Sequence, residues 1–258
     1  MDKIELLPMP LCENLKKLRL KNWVNWVNED LQNSFPEQQA LFVQKLTTWA
    51  DRELAERKTT QINSKIKSAK FTQIQTVEAF DFSHNKSTQG IQKAYLGLYN
   101  SVTSDNPPSA VFSGNPGLGK THLARALGYR ACQMGMSTLF ITASDMVNQL
   151  LNAHKTLRLD QELKRYRKPQ VLIIDELGYV SLDNQSSNLF FQVISNRHDQ
   201  GLGTITTTNL PFGKFNQIFA NDAIAHAIVD RLVNEAEVFF MEGVSYREHQ
   251  RTQRKPKS

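Results

Sequence analysis

The chain has 258 residues, forty per cent of them apolar, a formal net charge of +6 and two cysteines, which suffices for one α/β domain and a small appendage. No apolar run is long enough to span a bilayer, and Pro8 and Pro10 break the leucines that a signal peptide would need, so the cytoplasm is the expected compartment. Cys12 and Cys132 stand far apart without metal-ligand spacing, which argues against a disulfide framework or a zinc site and for two packed thiols.

The first seventy residues predict helices. Leu11, Leu15 and Leu18 lie on one stripe, followed by Trp23, Val24, Trp26 and Val27. Ser34-Phe35-Pro36-Glu37 has the form of a capping box with proline in the first turn. The helix it opens presents Leu41, Phe42, Leu46 and Trp49. A further helical stretch carries Leu54, Ile62 and Ile66 on one side, with Arg52, Arg57, Lys58, Lys65, Lys67 and Lys70. At this spacing the three tryptophans are expected in a packed core rather than stacked on bases, which leaves the basic face as the better candidate for DNA phosphate. Residues 1–72 form the expected N-terminal helical domain for DNA or a partner. Residues 73–108 are a connector containing Phe80-Asp81-Phe82 and a helix around Ile91–Tyr99, closed by Asn106-Pro107-Pro108.

From Ala110 onward, strands near 110–113, 138–142, 171–175, 203–208 and 236–241 alternate with helices, the pattern of a five-stranded, mainly parallel α/β sheet spanning 109–247. After the first strand, Gly114-Asn115-Pro116-Gly117-Leu118-Gly119-Lys120-Thr121 satisfies GxxxxGK[ST], and Leu123, Ala124, Ala126, Leu127 and Ala131 continue as an amphipathic helix. Glycines there let backbone N–H groups turn toward phosphates, and the new helix directs its positive end at the same charge. Lys120 is then expected on the β- and γ-phosphates of a nucleoside triphosphate, with the Thr121 hydroxyl on Mg²⁺; His122 follows the loop and is counted with it. Val171-Leu172-Ile173-Ile174-Asp175-Glu176 is a buried strand that delivers acid at its C-terminal end. Asp175 is the expected Mg²⁺ partner and Glu176 the group that polarises the attacking water. Asp175-Glu176-Leu177-Gly178 also satisfies the DxxG of a GTPase. A guanine reader of the form Asn/Thr-Lys-x-Asp is lacking, and the adjacent glutamate favours ATP. Thr206-Thr207-Thr208-Asn209 can insert between the two phosphate strands and bring Asn209 to the γ-phosphate. Two helical segments fit into 144–168, the second with Arg158, Lys164, Arg165, Arg167 and Lys168. Residues 248–258 form a basic tail; Arg247, Arg251, Arg254, Lys255 and Lys257 carry most of the charge excess and suit a polyanion.

Taken in order, Gly119-Lys120-Thr121-His122-Leu123-Ala124, Asp175-Glu176-Leu177-Gly178-Tyr179, Phe191-Gln192-Val193-Ile194-Ser195, Thr208-Asn209-Leu210-Pro211-Phe212, Asp230-Arg231-Leu232 and Ser245-Tyr246-Arg247 resemble AAA+ ATPases of the initiator and helicase-loader branch. Within it they resemble the IstB-type helper ATPases of bacterial insertion sequences, relatives of the DnaC loader. The resemblance implies an AAA+ core in which Asn209 is the γ-phosphate sensor and Arg231 an arginine finger for a neighbouring subunit's ATP. Arg247 is a weaker candidate for a second sensor. About seventeen residues follow the last strand, too few for the usual C-terminal helical lid. IstB-like and DnaC-like proteins share that shortness, and it leaves closure of the site to neighbouring subunits of a homo-oligomer.

The function so implied is an ATP-dependent DNA-binding helper that assembles on target DNA and stimulates a DDE transposase of the same element, with hydrolysis governing release. A DnaC-like loader of a replicative helicase is the nearest rival. An ATP-binding scaffold with negligible turnover fits intact Lys120, Asp175 and Glu176 poorly, and a small-molecule P-loop kinase lacks a visible acceptor lid.

Overall fold

The computed structural model describes residues 7–32 and 35–246 and divides into two compact units between Asn63 and Ser64. In the first, α1 (Met9–Lys17) starts behind Pro8 with Pro10 in its first turn and ends on Lys16 and Lys17, which suit the negative end of a helix. It is followed by α2 (Lys21–Gln32) and α3 (Pro36–Ser68). The two helices expected over 36–68 are one. No glycine interrupts that stretch and proline occurs only at its first position, while Arg52–Glu56 and Glu53–Arg57 pair one turn apart at 3.1 and 2.7 Å. Ser34 of the expected capping box lies outside the described residues.

The tryptophans overturn their expected burial. Leu7, Leu11, Leu15, Leu18, Val27, Leu31, Leu46 and Ala50 make the core of this unit, whereas Trp23, Trp26 and Trp49 are 42%, 57% and 60% exposed. Val27 and Leu31, four residues apart, set the inward face of α2. Trp26 is about 100° round from Val27, and Trp23 sits at the open end of that face. On α3, Leu46 and Ala50 face in, and Trp49 is again one residue out of phase.

The second unit is built on five strands: β1 (Ala110–Gly114), β2 (Thr138–Thr142), β3 (Val171–Asp175), β4 (Gly203–Thr208) and β5 (Glu237–Met241). Their order is β2-β3-β4-β1-β5, with every neighbour parallel. The strand of Thr206 and Thr207 therefore lies between the two phosphate strands, as the sequence predicts. Alternate residues feed two cores. Val111, Ile141, Leu172 and Ile174 pack with α6 (Ala143–Lys155), α8 (Asn184–Asp199) and α9 (Asp222–Val233). Phe112, Phe140, Ile173 and Ile205 pack on the opposite face with α4 (Lys86–Ser101) and α5 (Lys120–Gln133). Both cysteines are buried. Among the described residues no helix is long and apolar enough to cross a membrane.

The expected pair of helices in 144–168 is α6 and α7 (Leu159–Arg167). A wholly buried side chain of α8, Arg197, secures the end of α7. Its guanidinium donates to the carbonyls of Tyr166, Pro169, Gln170 and Gly203 at 2.6, 2.9, 3.3 and 2.5 Å and to the Thr204 hydroxyl at 3.1 Å. Burial pushes its pKa down to about 9, and the five acceptors oppose that by favouring the charged form.

Candidate functional site

The loop after β1 and the start of α5 enclose one end of a cavity of about 690 Å³ at the C-terminal edge of the sheet. Backbone φ is +81° at Gly117 and +90° at Gly119, the region glycine adopts without strain. At Gly119 a Cβ would also strike the Phe80 ring. Leu118, 2% exposed, anchors the loop in the core. Lys120 Nζ donates to the carbonyls of Gly114 and Asn115 at 2.7 and 2.8 Å, which holds the cation across its own loop. Gly114 and Asn115 thus position Lys120, while Pro116 to His122 line the cavity.

The acidic wall comes from β3 and β4. The Thr121 hydroxyl donates to Asp175 Oδ1 at 2.9 Å, and the Thr207 hydroxyl donates to the same oxygen at 2.5 Å. Thr207 Oγ1 in turn accepts the Glu176 N–H at 2.9 Å. Glu176 has a left-handed backbone, φ +63°, uncommon for a residue with a side chain and of order 1–3 kcal/mol in cost. That turn takes the chain off the strand and places Glu176 on the cavity wall. Asn209 also lines it, and its buried Oδ1 has no hydrogen-bond partner among the described residues. Gly178 lies against that amide so closely that a Cβ would collide with Asn209 Oδ1. The glycine of the DxxG pattern is therefore a steric requirement of Asn209.

The opposite wall is the segment before α4, which the sequence reading passed over as connector. Gln73, Gln75, Thr76, Phe80 and His84 line the cavity. His122 Nε2 meets the Thr76 carbonyl at 2.7 Å and its ring packs edge-on against Phe80 at 5.3 Å, so His122 joins this segment to the phosphate loop. Arg125 lines the same cavity, with its guanidinium 4.5 Å from the centre of the Phe140 ring. Burial lowers its pKa, while Asp175 and Glu176 act to raise it. Beyond β5 the chain returns over the loop: the Tyr246 N–H donates to the Gly117 carbonyl at 3.0 Å, and Tyr246 stands edge-on to His84. Arg247 and the tail lie outside the described residues.

Arg231 is not in this cavity. It lines a small recess with Ser109, Leu202 and Thr204, at the opposite ends of β1 and β4 from the phosphate loop. A strand of five residues separates the two by roughly 16 Å. The Arg231 guanidinium lies 4.9 Å from the Phe191 ring centre and donates to the Ala227 carbonyl at 3.1 Å.

The sequence pattern of the IstB-like ATP binding protein family matches residues 13–254. A protein of insertion sequence IS5376 from Geobacillus stearothermophilus, whose name assigns it ATP binding, is 37% identical over 76% of this chain and 77% of its own length. A protein of insertion sequence IS232 from Bacillus thuringiensis subsp. berliner, similarly named, is 33% identical over 92% and 93%. The crystal structure of the DnaC helicase loader superposes with a TM-score of 0.56 at 20% identity, over 65% of this chain and 96% of that one, which shows a shared AAA+ fold. By the extent of the sequence match and the five-stranded AAA+ core, the chain belongs to the IstB-like ATP-binding protein family.

Proposed function

We propose that this chain is an ATPase that assembles on target DNA in the cytoplasm as a homo-oligomer and stimulates a DDE transposase of the same mobile element, with ATP hydrolysis driving release. The observation that carries the reading is the Thr121–Asp175–Thr207–Glu176 chain of hydrogen bonds beneath the phosphate loop. Thr121 and Asp175 offer the hydroxyl and carboxylate oxygens that would hold Mg²⁺. When bound, Mg²⁺ supplies charge neutralisation on the phosphates of ATP. Lys120 then binds the β- and γ-phosphates, Glu176 orients the attacking water and takes its proton, and Asn209 contacts the γ-phosphate and helps place that water through its side-chain amide.

Arg231 sits too far from its own cavity to act there, which favours action on a neighbouring subunit's ATP. The exposed cations on and flanking α7, Lys164 within it and Arg158 and Lys168 at its caps, and the basic tail are the proposed phosphate contacts for DNA. The insertion-sequence names of the relatives favour a transposase partner over a replicative helicase.

Glu176→Gln keeps the size of the side chain and removes its capacity as a base. It is expected to bind ATP with wild-type affinity and to remain on DNA after wild-type protein has dissociated, as measured by phosphate release and DNA co-sedimentation. Wild-type turnover in this variant would refute the catalytic role of Glu176. Failure of the wild-type protein to increase insertion by the transposase encoded beside it would refute the partner.

A further inference from the structure

The α1–α2 turn carries a feature that the nucleotide site leaves unused. Arg19, Leu20, Lys21, Asn22, Trp23 and Trp26 line an open hollow of about 620 Å³ in the N-terminal unit. Between Asn14 and Asn28 the sequence holds Lys16, Lys17, Arg19 and Lys21 and no acid. None of these four has a carboxylate ion-pair partner among the described residues. Two exposed indoles sharing a hollow with two cations, Arg19 and Lys21, stand out on a protein surface, where single exposed apolar side chains are ordinary and grouped ones mark contact sites.

The turn itself is built against local preference. Leu20 N–H bonds the Leu15 carbonyl and Arg19 N–H the Lys16 carbonyl, at 2.9 and 3.0 Å, the hydrogen bonding of a helix C-terminus that normally places glycine where Arg19 stands. Arg19 instead holds φ +65° and is exposed, so its side chain is kept at the rim of the hollow in spite of the backbone it requires.

We propose that this hollow binds single-stranded nucleic acid, with bases stacked on Trp23 and Trp26 and phosphates on Arg19 and Lys21. Indoles at i and i+3 of a helix lie about 5–6 Å apart at Cβ, which lets neighbouring bases engage neighbouring rings. Asn22 and Asn25, both exposed, offer amides to base edges. A bilayer surface would call for aliphatic side chains where these asparagines stand, and an acidic peptide would use the cations while leaving both indoles unfilled. The site is distinct from the nucleotide cavity and does not depend on ATP-controlled assembly.

All three tryptophans of the chain belong to this unit, so intrinsic fluorescence reports on it selectively. The full chain, without nucleotide and at low salt, is titrated with a short oligothymidylate, an abasic strand of equal length, the matching duplex and a polyglutamate peptide. Quenching by oligothymidylate is expected, with little from the other three. Trp23→Ala and Trp26→Ala should each weaken binding of labelled oligothymidylate by about 5- to 150-fold, from the worth of one stacked base, and Trp49→Phe should leave it unchanged. Arg19→Gly relieves the left-handed backbone, so its thermal midpoint should hold or rise while the slope of log K against log salt falls by about 0.7. An oligothymidylate that binds without quenching, or an unchanged affinity in both alanine variants, overturns the proposal. So does polyglutamate that quenches equally and displaces the oligonucleotide, which would assign the hollow to an acidic protein segment.

Discussion

Thr207→Val tests whether the acidic wall works as a unit. Thr207 is 2% exposed, and valine replaces its hydroxyl by a methyl of nearly equal volume. Two hydrogen bonds vanish: the donation to Asp175 at 2.5 Å and the acceptance from Glu176 N–H at 2.9 Å. A bond to a charged group contributes about 1.5–3 kcal/mol and one from a backbone amide about 1, while the new buried methyl returns less than about 1. Asp175 keeps the Thr121 hydroxyl as a partner, so the net loss is about 2 kcal/mol. For a unit of this size that corresponds to a fall of about 4–8 °C in thermal midpoint.

The catalytic consequence is separable from the loss of stability. Glu176 holds its left-handed backbone with its amide on Thr207. Without that anchor it is free to relax toward right-handed geometry, which carries the carboxylate away from the water it orients. ATP affinity, set mainly by the loop and Lys120, should change little, while turnover falls about 10- to 100-fold, equivalent to about 1.4–2.8 kcal/mol of transition-state stabilisation. Fluorescent-ATP titration and single-turnover phosphate release measure the two. Thr207→Ser should recover most of the rate, since serine restores the hydroxyl. Turnover at the wild-type level in the valine variant, or a serine variant as slow as the valine one, would show that the hydroxyl does not position Glu176.

Much of the second unit was legible because its signals are local. The strand ending in Asp175 is four apolar residues followed by acid, and the phosphate loop is eight consecutive residues. The place of β4 between β3 and β1 agrees with the expectation that Thr206-Thr207-Thr208-Asn209 inserts between the two phosphate strands. The far wall of the cavity was not legible, since His122 meets Thr76 and Gly119 meets Phe80 across about forty residues with no shared period. Arg197 was invisible for a related reason: its acceptors are backbone carbonyls, which no sequence names, and an arginine near a helix end ordinarily reads as solvated. The tryptophans misled because apolar spacing marks a helical face without telling which flank turns inward. On α2 the choice fell to Val27 and Leu31, whose smaller side chains fit against the leucines of α1.

Gly178→Ala should slow hydrolysis more than it weakens ATP binding, because the new Cβ must displace the Asn209 amide; the ratio of the two effects, by the same pair of assays, checks it. Arg197→Leu leaves four carbonyls without their shared donor and should cost about 3–5 kcal/mol in urea unfolding, with Arg197→Lys recovering only part, since one ammonium cannot span five acceptors. Arg231 gives the test of assembly. Because it lies at the far end of the strands from its own cavity, Arg231→Ala should leave ATP binding by the isolated subunit intact while hydrolysis falls by about 10³ or more, the usual worth of an arginine finger. Lys120→Ala should instead abolish ATP binding. If the finger acts across subunits, mixing the two inactive variants must restore turnover, since a Lys120→Ala subunit still donates Arg231 to an intact cavity in its Arg231→Ala neighbour. A mixture that co-assembles, as measured by cross-linking, yet stays as inactive as either variant alone would exclude transfer between subunits and return Arg231 to its contacts with Phe191 and Ala227.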